Sequence, residues 1–377
     1  EDDVYIFGSW SGWTKMEAME RREKGVYVAN IMLGEVCYEM FRFCLDRDMT
    51  MEIYPIIKDA SSKIWVEGPD HKSAGRYWII DGRDSQALSG SLYEVELRWH
   101  PEVKSVSWKP LGNSLTATPS SPTAFAHSYM LTGTFTAGHF QEMKQTEPGT
   151  WQGSFRLGVM GEEEFQISRD GDVNQLIYPA KSGTVKTTVP VRGPDSFGKK
   201  KYWQIRGMPG EELTVTLEVS DGHLRVTVAS DVRGDKVWES EDGWERHSYH
   251  VYGSWTNWTP VTMVMDVQRP GIFRAFGKIQ SRGFAGFMER FYIIVDEDVN
   301  LALYPQLTCS RPYEYIVEGP GANPSSHCWQ IYSPTCSRFE VTLDLTADDR
   351  RQRVSWAWSG VGQIEAPQDE TLLQLGN

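Results

Sequence analysis

One pattern recurs three times along this chain, and that recurrence limits what it can fold into more than any single motif does. The stretches VYIFGSWSGWTKM from Val4, SYMLTGTFTAGHFQEM from Ser128 and SYHVYGSWTNWTPVTM from Ser248 align on Gly8, Gly133 and Gly253, which lie 125 and 120 residues apart. Each copy then carries an aromatic run ending in an Asp-x-Asp turn: YEMFRFCLDRD, EEEFQISRDGD and GFMERFYIIVDED. A Tyr-Pro pair follows (Tyr54-Pro55, Tyr178-Pro179, Tyr304-Pro305), then a Gly-Pro pair (Gly68-Pro69, Gly193-Pro194, Gly319-Pro320). Ten residues after each of those glycines stands Trp78, Trp203 or Trp329.

The periodicity is that of strands. Phe41, Phe165 and Phe291 share a face with Phe43, Ile167 and Ile293, whereas Arg42, Gln166 and Tyr292 take the opposite face. Similar runs close each copy, from Tyr93 to Trp108, Leu213 to Val228 and Phe339 to Trp358. Gly, Pro, Asn and Asp punctuate the chain every eight to twelve residues. The expected fold is all-β, three tandem immunoglobulin-like β-sandwich modules over 4–111, 128–230 and 248–358. Residues 112–127 read as a Ser/Thr/Pro-rich extended linker. Residues 231–247 read as a charged linker whose Trp238 and Trp244 predict packing on a neighbouring module. The tail, 359–377, is expected to be mobile or to dock through Leu372, Leu373 and Leu375.

Composition narrows the function classes. The 377 residues carry a formal net charge of −13, and the one basic cluster, Lys199-Lys200-Lys201, is short. Nucleic-acid affinity rests on lysine and arginine displacing counterions, so no nucleic-acid partner is expected. No apolar run of about 18 residues is present, so no membrane span is expected. The five cysteines (Cys37, Cys44, Cys309, Cys328, Cys336) are odd in number and lack any CxxC pair. They suit an intracellular reducing compartment, cytoplasm or a plastid or other organelle. Glu1-Asp2-Asp3 runs directly into strand residues with no charged-then-apolar leader, which leaves room for a targeting segment already removed.

The motifs GSWSGWT at Gly8 and GSWTNWT at Gly253, each followed by the strand and Asp turn, resemble the starch- and glycogen-binding modules of the AMP-activated kinase β subunit and of branching enzymes. The resemblance spans about the first 50 residues of each repeat. The Tyr-Pro and Gly-Pro portions are similar to tandem modules in large repetitive proteins of unicellular algae. The resemblance implies that Trp13 and Trp258 stack on a sugar, with Asn257 at the motif's asparagine. The family's hairpin lysine becomes Arg42, Gln166 and Tyr292. Its second stacking tryptophan becomes Met49, Val173 and Val299, and the second repeat has Phe135 and Phe140 in place of the Trp pair.

The residues leave two readings of Trp13 and Trp258, exposed platform or plug sealing the sandwich end, whereas Trp10 and Trp255 continue the buried face of the opening strand. The Asp-x-Asp turns suit local backbone hydrogen bonding better than a cation cage. His247 and His250 fall on opposite faces of a strand and cannot share a metal. Asn257-Trp258-Thr259 matches a glycosylation acceptor that has no meaning in a reducing compartment. No catalytic residue, metal site or cofactor is expected. The expected function is non-enzymatic, weak α-glucan binding through Trp13, Trp258, Asn257, Arg42 and Tyr292. The alternative is a scaffold subunit whose modules contact protein partners in a larger assembly.

Overall fold

The computed structural model describes residues 3–111, 127–280, 282–283, 286–333 and 337–358. These residues form six antiparallel sheets of an all-β sandwich fold, and their helical elements are single 3-10 turns of three or four residues. Among the described residues no helix is long and apolar enough to cross a membrane. The chain divides into two compact units, Glu1–Arg246 and His247–Asn377.

One strand order is met three times. In the first repeat the opening strand Val4–Gly8 lies between the short Glu17–Ala18 and the aromatic strand Tyr38–Leu45. The far edge of the aromatic strand is shared by the Tyr-Pro strand Glu52–Pro55 and the tryptophan strand Trp78–Asp81, and the Gly-Pro strand Val66–Asp70 ends the sheet. The order returns with Tyr129–Gly133, Glu162–Arg169, Leu176–Pro179, Val191–Asp195 and Trp203–Arg206. It returns again with Tyr249–Gly253, Gly286–Val295, Asp298–Pro305, Val317–Gly321 and Trp329–Ser333. A second sheet faces each of these, running in the first repeat through Glu20–Glu23, Val26–Met32, Leu92–Trp99 and Lys104–Pro110. Inward residues of both sheets, such as Ile6, Phe41, Phe43, Ile31, Val95 and Leu97, form one apolar core.

The recurring motifs have local causes. Trp78, Trp203 and Trp329 sit opposite Phe41, Phe165 and Phe291 in register and are buried against those rings, with centroids 5.8, 5.1 and 5.3 Å apart. The Gly-Pro glycine is demanded by geometry: Gly193 has φ +94°, and a Cβ there would lie 2.0 Å from the Leu176 carbonyl oxygen. Only a residue without a side chain adopts that conformation so close to a neighbouring backbone. All three Gly-Pro peptides are cis.

The stretch read as a charged linker is partly a strand. Lys236–Glu239 pairs with His223–Ala229 and adds a fifth strand to the second repeat's outer sheet. Trp238 is fully buried against Trp203, at 6.2 Å, and its indole N–H donates to the Lys186 carbonyl at 2.9 Å. It therefore packs on the second repeat's own core. Trp244 lies half-buried in the 3-10 turn Gly243–Arg246. Of the first linker only His127 is described, and it is buried. The remainder of that linker, Cys336, and the tail with Leu372, Leu373 and Leu375 lie outside the described residues.

Within the unit Glu1–Arg246 the first two repeats share a packed junction. Val36, Tyr38 and Met40, on the outer face of the first repeat, join the second repeat's core cluster. Tyr129 donates to Glu35 at 2.6 Å, and Arg83 donates to the Gly193 carbonyl at 2.8 Å while stacking on Tyr38. The Arg169 side chain has no solvent exposure, donates to the Tyr38 carbonyl at 3.1 Å and to Gln175 at 2.6 Å, and stands 3.7 Å from Glu39. His127 bridges toward the same place, 2.7 Å from Asp170 and 3.9 Å from Glu39. At the end of this unit Arg246 pairs with Asp81 at 3.1 Å and Asp84 at 2.7 Å.

Asp81 makes this junction sensitive to acid. Burial alone would raise its carboxyl, but the Arg246 and Arg83 guanidiniums override that and hold it well below the ordinary carboxylate range. A depressed carboxylate stabilises the fold above its unfolded pKa of about 4, and that stabilisation disappears as pH falls toward the folded value. Asp81→Asn is expected to lower the urea midpoint of the parent protein at pH 7, with the gap closing between pH 5 and pH 2. A gap independent of pH would contradict this reading of Asp81.

Candidate functional site

The Gly-Ser-Trp motif builds the same turn in each repeat. The opening strand ends in a 3-10 turn, Ser9–Ser11, Thr134–Thr136 or Ser254–Thr256. Two residues with positive φ follow: Gly12 and Trp13, Ala137 and Gly138, Asn257 and Trp258. Glycine and asparagine tolerate this left-handed region best, which accounts for Gly12 and Asn257. The second residue of each pair donates its backbone N–H to Gly8, Gly133 or Gly253 at 3.1, 3.1 and 2.9 Å. Alignment on this turn places Gly138, not Phe140, at the position of Trp13 and Trp258.

The turn sets that position over a cross-strand pair on the outer face of the first sheet. The pair is Phe7 with Arg42, Thr132 with Gln166, and Tyr252 with Tyr292. The residue before the buried tryptophan, Tyr77, Tyr202 or Cys328, belongs to the same face by strand alternation. The three repeats thus fill one architectural site with different chemistry.

In the first repeat the site is closed. Trp13 is wedged between Phe7 at 5.8 Å and Tyr77 at 5.2 Å, and packs against the core cluster of the second repeat. Arg42 lies across Phe7, Trp13 and Tyr77, and is anchored by Glu52 at 3.0 Å and by the Ser73 hydroxyl. Its side chain is mostly buried and its guanidinium is held within the protein.

In the third repeat the site is open. Trp258 is 41% exposed, and its ring lies 5.4 Å from Tyr252 and 5.8 Å from Tyr292, which are themselves 5.3 Å apart. Three contiguous aromatic rings therefore line this face, with the exposed Asn257 beside Trp258. A shallow cavity of about 190 Å³ adjoins Tyr292 and is lined also by Val299, Asn300, Ala322 and Asn323. That is below the roughly 300–1,000 Å³ of clefts that enclose drug-sized ligands, so a ligand would lie on this face rather than inside it. Burial, and the facing Tyr252, push the Tyr292 phenol up, so it remains a neutral hydrogen-bonding group at physiological pH. Rings and neutral amides together offer flat apolar contact with polar donors and acceptors at its border.

Tyr252, Asn300 and Asn323 were not among the sequence-derived candidates. Tyr252 could have been found by pairing the opening strand with the aromatic strand, since alternation then puts it beside Tyr292. Asn300 and Asn323 come from separate strands and loops, and only the folded chain brings them together. Of the positions matching the family's second stacking tryptophan, Met49, Val173 and Val299 are all exposed.

The acidic turns act on their own backbones. Asp46, Asp170 and Asp296 accept the N–H of Asp3, Ser128 and Ser248, and Asp48, Asp172 and Asp298 accept that of Thr50, Asn174 and Asn300. His247 contacts Asp296 at 2.8 Å, while His250 contacts Ser248 and Thr262. Burial pushes the thiols of Cys37 and Cys309 up to about 12 and that of Cys44 to about 11, and these three and Cys328 are free. No protein-family model and no curated protein matches the chain.

Proposed function

We propose that this chain is a non-enzymatic α-glucan-binding protein whose working site is the aromatic face of the third repeat, with Trp258, Tyr252 and Tyr292 as the stacking platform and Asn257 at its edge. The observation that carries the reading is the contiguity of three rings with Trp258 at 41% exposure. The resemblance of GSWTNWT to starch- and glycogen-binding modules supplies the ligand class. Magnitudes favour a platform over a lone residue. Covering one face of an aromatic removes about half of the roughly 150–250 Å² it can bury, worth about 2–3 kcal/mol gross. Millimolar affinity needs about 4 kcal/mol net of association costs, so one ring falls short even before those costs are subtracted, and several contiguous rings with polar contacts at their edge are required. Trp13 and Arg42 are committed to packing in the first repeat and contribute to its stability rather than to binding. Free, buried cysteines support a reducing compartment, cytoplasm or plastid.

Titration with maltoheptaose, or retention on amylose, tests this. Trp258→Ala is expected to weaken binding at least tenfold with little change in thermal midpoint, because the ring is substantially exposed. Trp13→Ala is expected to lower the midpoint and leave the affinity of the folded protein unchanged. No retention of the parent protein removes the reading.

A second reading has its own observation. In the first repeat the same outer face is covered by protein, with Tyr38 and Met40 buried in the second repeat's cluster. The module can therefore serve as a protein-contact unit, and the scaffold role follows if the third repeat's face is used in the same way. Co-purification of a partner that Trp258→Ala releases would select it.

A further inference from the structure

The second repeat has an empty place where its sister repeats hold a tryptophan. Gly138 occupies the turn position of Trp13 and Trp258, with φ +80° against +63° and +57°. A cavity of about 460 Å³ opens there, lined by Thr132, Gly138, Glu164, Gln166 and Tyr202, among others. Three of these residues stand where the indole of Trp13 finds its contacts: Thr132 for Phe7, Gln166 for Arg42 and Tyr202 for Tyr77. A side chain grown from Gly138 meets nothing within 4 Å at its first carbon, so the space is open from that direction too.

We propose that this cavity is a binding site for an aromatic side chain, an indole or phenol ring, presented by a partner protein. The fold already holds an indole against the matching positions of the first repeat; the second repeat keeps the tyrosine wall, has Thr132 and Gln166 in place of Phe7 and Arg42, and lacks the ring. The polar groups of the wall are largely engaged within the chain. The Gln166 amide donates to the Gly198 and Lys201 carbonyls, and the Thr134 hydroxyl donates to Glu163. What remains for a ligand is the half-buried Tyr202 ring as one wall, the Gly133 and Gly138 backbone as another, and Glu164, whose carboxylate can accept an indole N–H. This site is independent of the third-repeat face, and its test does not involve a glucan response at Trp258.

The probe is N-acetyl-tryptophanamide, titrated into the isotopically labelled full chain while backbone amide shifts are followed. Saturable shifts confined to Gly133, Gly138, Gln166 and Tyr202, with a dissociation constant on the order of ten millimolar, are expected. G138W, which restores the ring from within, is expected to weaken the probe at least tenfold without lowering the thermal midpoint. Should G138W fold poorly, Y202A, which removes the half-buried ring that forms one wall, carries the same expectation for the probe. The proposal is overturned if the probe shifts none of these amides, if it shifts them equally in the parent and the folded variants, or if maltose and not the probe shifts them, which would make the cavity a sugar site.

Discussion

Trp203→Ala is expected to cost the second repeat about 3–5 kcal/mol, the range for removing a large aromatic from a packed core. Trp203 is fully buried, stacked on Phe165 at 5.1 Å and against Trp238 at 6.2 Å. Folded domains are stable by only about 5–15 kcal/mol, so this one change should take a large share of the total. Chemical denaturation of the parent and variant measures it. A loss under about 1.5 kcal/mol would mean that the recurring tryptophan is not the keystone of the sandwich.

Arg169→Ala is expected to cost a comparable amount, about 3–5 kcal/mol, by a different route. The variant leaves the buried Glu39 with the Ser9 hydroxyl, the Gly34 N–H and His127 but without the guanidinium at 3.7 Å, and removes the donors held by the Tyr38 carbonyl and Gln175. A buried charge stripped of its guanidinium costs more than the pair itself contributes, so the loss exceeds what the ion pair is worth. Because Arg169 belongs to the second repeat and Glu39 to the first, the two repeats should unfold together in the parent protein and in separate steps in the variant. Pairing the substitution with Glu39→Gln should recover part of the loss. A variant that keeps one cooperative transition at the parent's midpoint would show that the apolar contacts of Tyr38 and Met40 alone hold the junction.

The strands were legible because their signal is local. Period-two alternation around Phe41, Phe165 and Phe291 identifies the inward face without knowledge of what it meets, since a side chain's face depends on its parity along the strand. The Tyr-Pro and Gly-Pro punctuation was visible, but its cause was not. The glycine is required by the Leu176 carbonyl, 17 residues away from Gly193. Lys236–Glu239 escaped notice as a strand because four residues among charges carry little periodicity, and its place is fixed by pairing with His223–Ala229. Of the two tryptophans there, Trp238 is buried in the second repeat's core and Trp244 is half-buried.

From residues alone one learns that this chain carries one pattern of strands and aromatic turns three times and folds as an all-β sandwich, because hydrophobic parity, turn chemistry and spacing are written along the chain. Which of two near-identical motifs keeps an open face is a tertiary matter. GSWSGWT and GSWTNWT build the same turn, yet Trp13 is closed in by Phe7, Tyr77 and Arg42 against the second repeat, while Trp258 stands open beside Tyr252 and Tyr292. The physical reason is that a motif specifies the direction of its own side chains, whereas exposure depends on the surfaces that long-range packing brings against them.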